Sequence, residues 1–67
     1  MKLGIDISFL QTLDEKQGVN RYAIGFINEL KNNPKINIQI YTNEKIFSKC
    51  RKKFTSKNIK VFKFSNN

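Results

Sequence analysis

The sequence predicts an α/β fold: a β-α-β-α-β unit with a three-stranded parallel sheet, part of a doubly wound domain. Three observations predict it. Apolar and polar residues alternate over residues 2–8 and again over 36–42, the period of a strand with one buried face. Between them, residues 19–32 carry apolar side chains at helical spacing. A second helical stripe and a third strand then follow. Alternation of this kind argues a parallel sheet joined by right-handed crossovers.

The first strand sets Leu3, Ile5 and Ile7 on one side and Gly4, Asp6 and Ser8 on the other. The second side is small, which suits close approach of another element. Phe9 and Leu10 add apolar surface at the strand's end. Residues 11–18 form a polar loop without periodicity. Thr12 and Glu15 have the spacing of a capping box, but no apolar helix follows at once. In the first helix, Val19, Tyr22, Ala23, Phe26, Ile27 and Leu30 make one stripe. That stripe is expected to bury Tyr22, Phe26, Ile27 and Leu30 against the sheet. Ile24 falls outside it, and Gly25 costs about 1 kcal/mol relative to alanine in mid-helix. Pro34 disfavours helical geometry in Asn33 and so ends the helix.

In the second strand Ile36, Ile38 and Ile40 face one way, and Asn37, Gln39 and Tyr41 the other. Thr42 or Asn43 is placed to cap the second helix. Its stripe is Ile46, Phe47, Cys50 and Phe54, flanked by Lys49, Arg51, Lys52 and Lys53. The third strand, residues 59–64, is apolar on both sides: Ile59 and Val61 against Phe62 and Phe64. Two right-handed crossovers moving in one direction leave both helices on one face of the sheet. The other face then has no cover. These residues are therefore expected to be the opening portion of a larger doubly wound domain.

Composition narrows the chemistry. A chain of 67 residues makes at most one small domain, burying about 60% of its unfolded surface. Cys50 is the single cysteine and there is no histidine. An internal disulfide, the usual zinc sites and any Ser-His or Cys-His catalytic pair are excluded. No run approaches the roughly 18 apolar residues of a membrane span. Residues 1–8 are too short and too alternating for a signal peptide's apolar region. The expected location is cytoplasmic, either free or peripheral on the inner membrane face. No cofactor is called for.

The net charge is +8, unevenly placed: eight of the 13 basic residues fall in residues 44–67, against one acid. An anionic membrane surface is one partner that such a segment suits; nucleic acid is the lesser alternative. Lysine, asparagine and isoleucine make up 29 of the 67 residues, and all three have A/T-rich codons. Base composition is thus a third explanation of the lysines.

The corner to watch is the loop that leads into Gly18-Val19-Asn20-Arg21-Tyr22. Strand, glycine turn and helix place backbone N–H groups and the positive end of a helix dipole at the carboxyl end of a strand, where anions bind. Gly18 either admits a phosphate or sugar to the backbone or only serves the turn into the helix. Arg21 lies in the first helical turn, where a cation opposes the dipole; it pairs either with an anionic ligand or with Asp14 or Glu15. Asp6, near the carboxyl edge of the sheet, is a ligand contact or a cap on neighbouring N–H groups. Asn20 offers its amide to a ligand or is an ordinary first-turn residue. The dinucleotide fingerprint G-x-G-x-x-G and the Walker pattern are both absent.

The run from Met1 to Leu10, with Gly4-Ile5-Asp6 and then Leu10, followed by Gly18-Val19-Asn20-Arg21-Tyr22 and a strand ending in Tyr41-Thr42, resembles the N-terminus of family 4 glycosyltransferases. The corresponding family pattern is "GID-x-x-x-L", "G-[VI]-G-R-Y" and a strand closing in "YT". The resemblance covers residues 1–43. It departs at Asn20, where the family has glycine, and at Gln17, where many relatives have another. It implies a GT-B architecture, with two Rossmann-like domains and a cleft between them. It implies transfer of a sugar from a nucleotide-sugar donor to an acceptor, such as a cell-surface polysaccharide or glycolipid precursor. For the glycine loop it implies phosphate or acceptor contact through Gly18, extended from there to Arg21, which matches the pattern, and to Asn20, which stands in the glycine's place. The family's donor-binding second domain has no counterpart in these residues, so the chain alone is expected to be inactive. The alternative reading is a small basic α/β module docking on anionic membrane or nucleic acid.

Overall fold

A computed structural model describes residues 1–64. The elements run β1 (Lys2–Asp6), α1 (Gly18–Leu30), β2 (Asn37–Asn43), α2 (Glu44–Lys53) and β3 (Ile59–Phe64). The strands lie in the order β1-β2-β3 and all pair in parallel. The predicted α/β class and element order are those observed. Ile7, beyond the end of β1, still donates its N–H to the Tyr41 carbonyl at 2.8 Å.

Period-two alternation sorts the sheet into two unlike faces. Register sets Leu3 beside Ile38 and Ile5 beside Ile40, with Ile59 and Val61 completing the rows. Of these, Ile5, Ile38, Ile40, Ile59 and Val61 meet Ile24 and Ile27 of α1, and Ile46, Cys50 and Phe54 from α2 and its C-cap, in one core cluster. Both helices therefore cover the same face. On the opposite face Tyr41 stacks against both Phe62 and Phe64, at ring-centroid distances of 5.4 and 5.6 Å. A Cβ on Gly4 would lie 3.5 Å from the Tyr41 ring. The small side of β1 thus receives this ring, and no described element covers the aromatic group.

Two asparagines tie the layers together. Asn58 Nδ2 reaches the carbonyls of Lys31, Asn33 and Ile36 at 3.4, 3.2 and 3.0 Å, joining the loop after α2 to the turn after α1. Asn43 Nδ2 donates to the Ser8 and Leu10 carbonyls at 2.9 and 2.7 Å, while its Oδ1 accepts from the Ile46 N–H at 3.0 Å. One side chain caps α2 and holds the exit from β1.

The helical stripe expected for α1 is corrected. Tyr22 is 79% exposed and Phe26 47%. The buried side is Asn20, Ile24 and Ile27, with Ala23 and Leu30 partly covered. The helix is rotated toward Ile24, the residue that the sequence pattern left outside. Both stripes share Ala23, Ile27 and Leu30, so spacing alone does not choose between them. Two features favour the observed rotation. Branched aliphatic Ile24 and Ile27 interlock with an isoleucine-rich sheet face, and Asn20 is fastened to the loop beneath it.

Candidate functional site

The carboxyl end of β1 is built mostly by local side-chain bonds. Asp14 organises the loop. Its Oδ1 accepts from the Lys16 N–H at 3.0 Å, and its carbonyl from the Gln17 N–H at 3.3 Å and from Asn20 Nδ2 at 3.0 Å. Thr12 Oγ1 accepts from the Asp14 N–H at 3.2 Å, an ordinary turn rather than a capping box. Buried Leu10 and partly buried Leu13 pin the loop to the core. Glu15 reaches Lys53 at 3.9 Å, a distance at which an exposed pair adds little.

The loop delivers the chain to α1 with that helix's end unclosed. Gln17 is the N-cap, and its side chain makes no capping hydrogen bond; the first turn holds no acid. Gly18 is exposed, its φ is not positive, and a Cβ built on it meets nothing within 4 Å. Backbone conformation therefore does not require glycine here. What its absent side chain leaves is open access to the first N–H groups of a helix, the arrangement that favours an anion.

The other predicted residues fall in different places. Asp6 is exposed at the end of β1, and its Oδ1 accepts from the Ser8 N–H at 2.9 Å. Hydrogen bonds from the Ser8 hydroxyl and N–H hold this carboxyl below the usual aspartate range. Of the two readings for Asp6, a cap on its own neighbours is the one the geometry displays. Asn20 is 1% exposed and its amide donates to the Asp14 carbonyl, so it holds the loop. Arg21 is exposed and pairs with neither Asp14 nor Glu15 among the described residues. It lines a shallow groove on the outward side of α1 with Tyr22, Gly25, Phe26 and Glu29. Gly18 and Arg21 thus share a helical turn, while Asn20 is drawn inward and Asp6 is occupied locally.

No family model, curated protein or solved structure matches this chain.

Two features of the site went unread in the sequence. One is Asn43 as the clamp on the β1 exit. Its capping spacing was visible, but its reach back to Ser8 and Leu10 depends on strand register. The other is the outward groove of α1, lined by Tyr22 and Phe26, two of the residues that the helical spacing places in the core. Elsewhere, burial pushes the Cys50 thiol up to about 11, with Lys53 opposing the shift. A thiol so placed behaves as a small hydrophobe rather than a nucleophile. Among the described residues no helix is long and apolar enough to cross a membrane, and no cluster of metal-ligating side chains occurs.

Proposed function

We propose that these residues are the opening portion of the acceptor-side Rossmann-like domain of a family 4, GT-B glycosyltransferase. Such an enzyme moves a sugar from a nucleotide-sugar donor to an acceptor such as a cell-surface polysaccharide or glycolipid precursor, at the cytoplasmic face of a membrane. The observation that carries the reading is the uncapped N-terminus of α1, opened by Gly18 at the carboxyl end of β1. In open α/β sheets that is the edge where ligands sit. The open aromatic face of the sheet adds support, because parallel sheets are almost always covered on both sides. A doubly wound domain would cover it with later helices.

Glycosyl transfer requires stabilisation of charge on the departing diphosphate. In this reading the N–H groups of Gly18 and Val19 supply part of it, by direct hydrogen bonds and by the dipole behind them. Contacts to the nucleotide's base and ribose belong to a second domain that closes over the cleft and excludes water. Two or three phosphate hydrogen bonds are worth about 1.5–3 kcal/mol each. Immobilising a ligand costs roughly 4–15 kcal/mol. The isolated chain is therefore expected to bind with about millimolar affinity or weaker.

Calorimetry with uridine and guanosine diphosphate sugars tests this. Weak binding that falls further in Gly18→Val, without turnover, is the expected result. Micromolar affinity or any sugar transfer by residues 1–67 would overturn the partial-domain reading. The second reading, a basic module on anionic lipid, is favoured by the exposed Lys45, Lys49 and Lys52 of α2. Salt-reversible sedimentation with anionic but not neutral vesicles is its signature.

A further inference from the structure

α1 carries a second apolar face that the monomer does not use. Val19, Tyr22 and Phe26 are 54, 79 and 47% exposed. They stand at i, i+3 and i+7, so they form one stripe rather than scattered surface residues. Gly25 lies beside them, and a Cβ built there meets nothing within 4 Å. Glycine weakens a helix interior. Packing within this chain gives no return for that cost, whereas a missing side chain allows another backbone to approach closely.

The charges beside the stripe say what kind of surface would fit. Arg21 stands one turn before Gly25 and Glu29 one turn after it, both lining the same groove. Neither has an ion-pair partner among the described residues. We propose that this face binds a second copy of the same chain, with the two α1 helices antiparallel and crossing at Gly25. A two-fold axis there places Arg21 opposite Glu29 of the second copy, and Glu29 opposite Arg21 of the second copy. Tyr22 and Phe26 then pack beside Phe26 and Tyr22 across the axis. A parallel pairing would set arginine on arginine and glutamate on glutamate. The surface is self-complementary in one orientation, which is the condition for a closed isologous dimer. This inference goes beyond the glycosyl-transfer reading and does not depend on it.

Analytical ultracentrifugation of the full chain across a concentration series, at about 0.15 M salt, tests the proposal. A reversible dimer is expected. Arg21→Glu should weaken it by about tenfold, because both symmetric ion pairs become repulsive. The double variant Arg21→Glu/Glu29→Arg should restore it to near the parental constant. Phe26→Asp should leave only monomer. All these positions are exposed, and circular dichroism of each variant is the check that it remains folded. A parent that stays monomeric at the highest concentration reached overturns the proposal. So does a double variant as weak as Arg21→Glu alone. A dimer that survives Phe26→Asp but is lost in Phe62→Asp, on the open sheet face, overturns it as well.

Discussion

The two helices begin in opposite ways. At α2, Asn43 accepts from the Ile46 N–H, Glu44 stands in the first turn, and Arg51, Lys52 and Lys53 stand in the last. Cap and charges all complement the helix dipole. At α1 the N-cap Gln17 makes no side-chain bond, the first turn has no acid, and Arg21 places a cation where the dipole disfavours it. Both helices pack into one core and follow parallel strands. The contrast is therefore not one of position in the fold. One end is satisfied by its own chain; the other is left to be satisfied from outside. In the proposed reading that difference, rather than glycine spacing or net charge, is what marks the α1 end as the corner for a ligand and the α2 end as a structural one.

The comparison can be broken first at the packing that holds α1. If Ile24 and Ile27 fix the helix rather than its cap, Ile27→Ala should destabilise the chain by about 2–5 kcal/mol. Phe26→Ala, on the exposed side, should cost less than about 1 kcal/mol. Urea unfolding followed by circular dichroism separates the two. Equal costs would return Phe26 to the core and undo the assigned rotation.

The capped end comes next. Asn43→Ala removes the α2 cap and leaves the Ser8 and Leu10 carbonyls without their donor. A loss of about 2–3 kcal/mol is expected from a cap plus the lost bonds. A loss below about 0.5 kcal/mol would mean that α2 owes nothing to its closure.

A smaller effect appears with pH. The folded Cys50 thiol lies near 11, against 9.0 for the ordinary group. Its contribution is fully present below about pH 9 and is lost as pH rises toward 11, because only the unfolded chain ionises freely in that window. Thiol-reactive dye should label Cys50 at pH 8 no faster than the chain unfolds. Rapid labelling of folded protein would contradict its burial on the inward side of α2.

Much of the fold was legible because alternation of period two is hard to imitate. Ile38 and Ile40 against Gln39 and Tyr41, and Ile59 against Phe62, follow directly from it. The order of elements then left few topologies. Helix rotation was less legible because α1 has apolar residues around much of its circumference. Aromatic residues outnumber aliphatic ones on the side that stays exposed, and the helical spacing that runs through Val19, Tyr22 and Phe26 points to that face rather than to Ile24. For the candidate site, Gly18 could be named from the strand–loop–helix order. The inward turn of Asn20 could not be, since it depends on where Asp14 sets its carbonyl. Arg21 was seen as misplaced against the dipole, but its neighbour Glu29 becomes relevant only when α1's outward groove is known.

The asymmetry between the two helix ends is tested most directly by a backbone amide NMR titration with inorganic pyrophosphate. Saturable shifts are expected at Gly18 and Val19, with the first-turn amides of α2, at Glu44 and Lys45, left in place. Gln17→Asp, which gives α1 an acidic cap of its own, should suppress the response. Equal shifts at both helix ends, or shifts that follow only the exposed lysines, would contradict it.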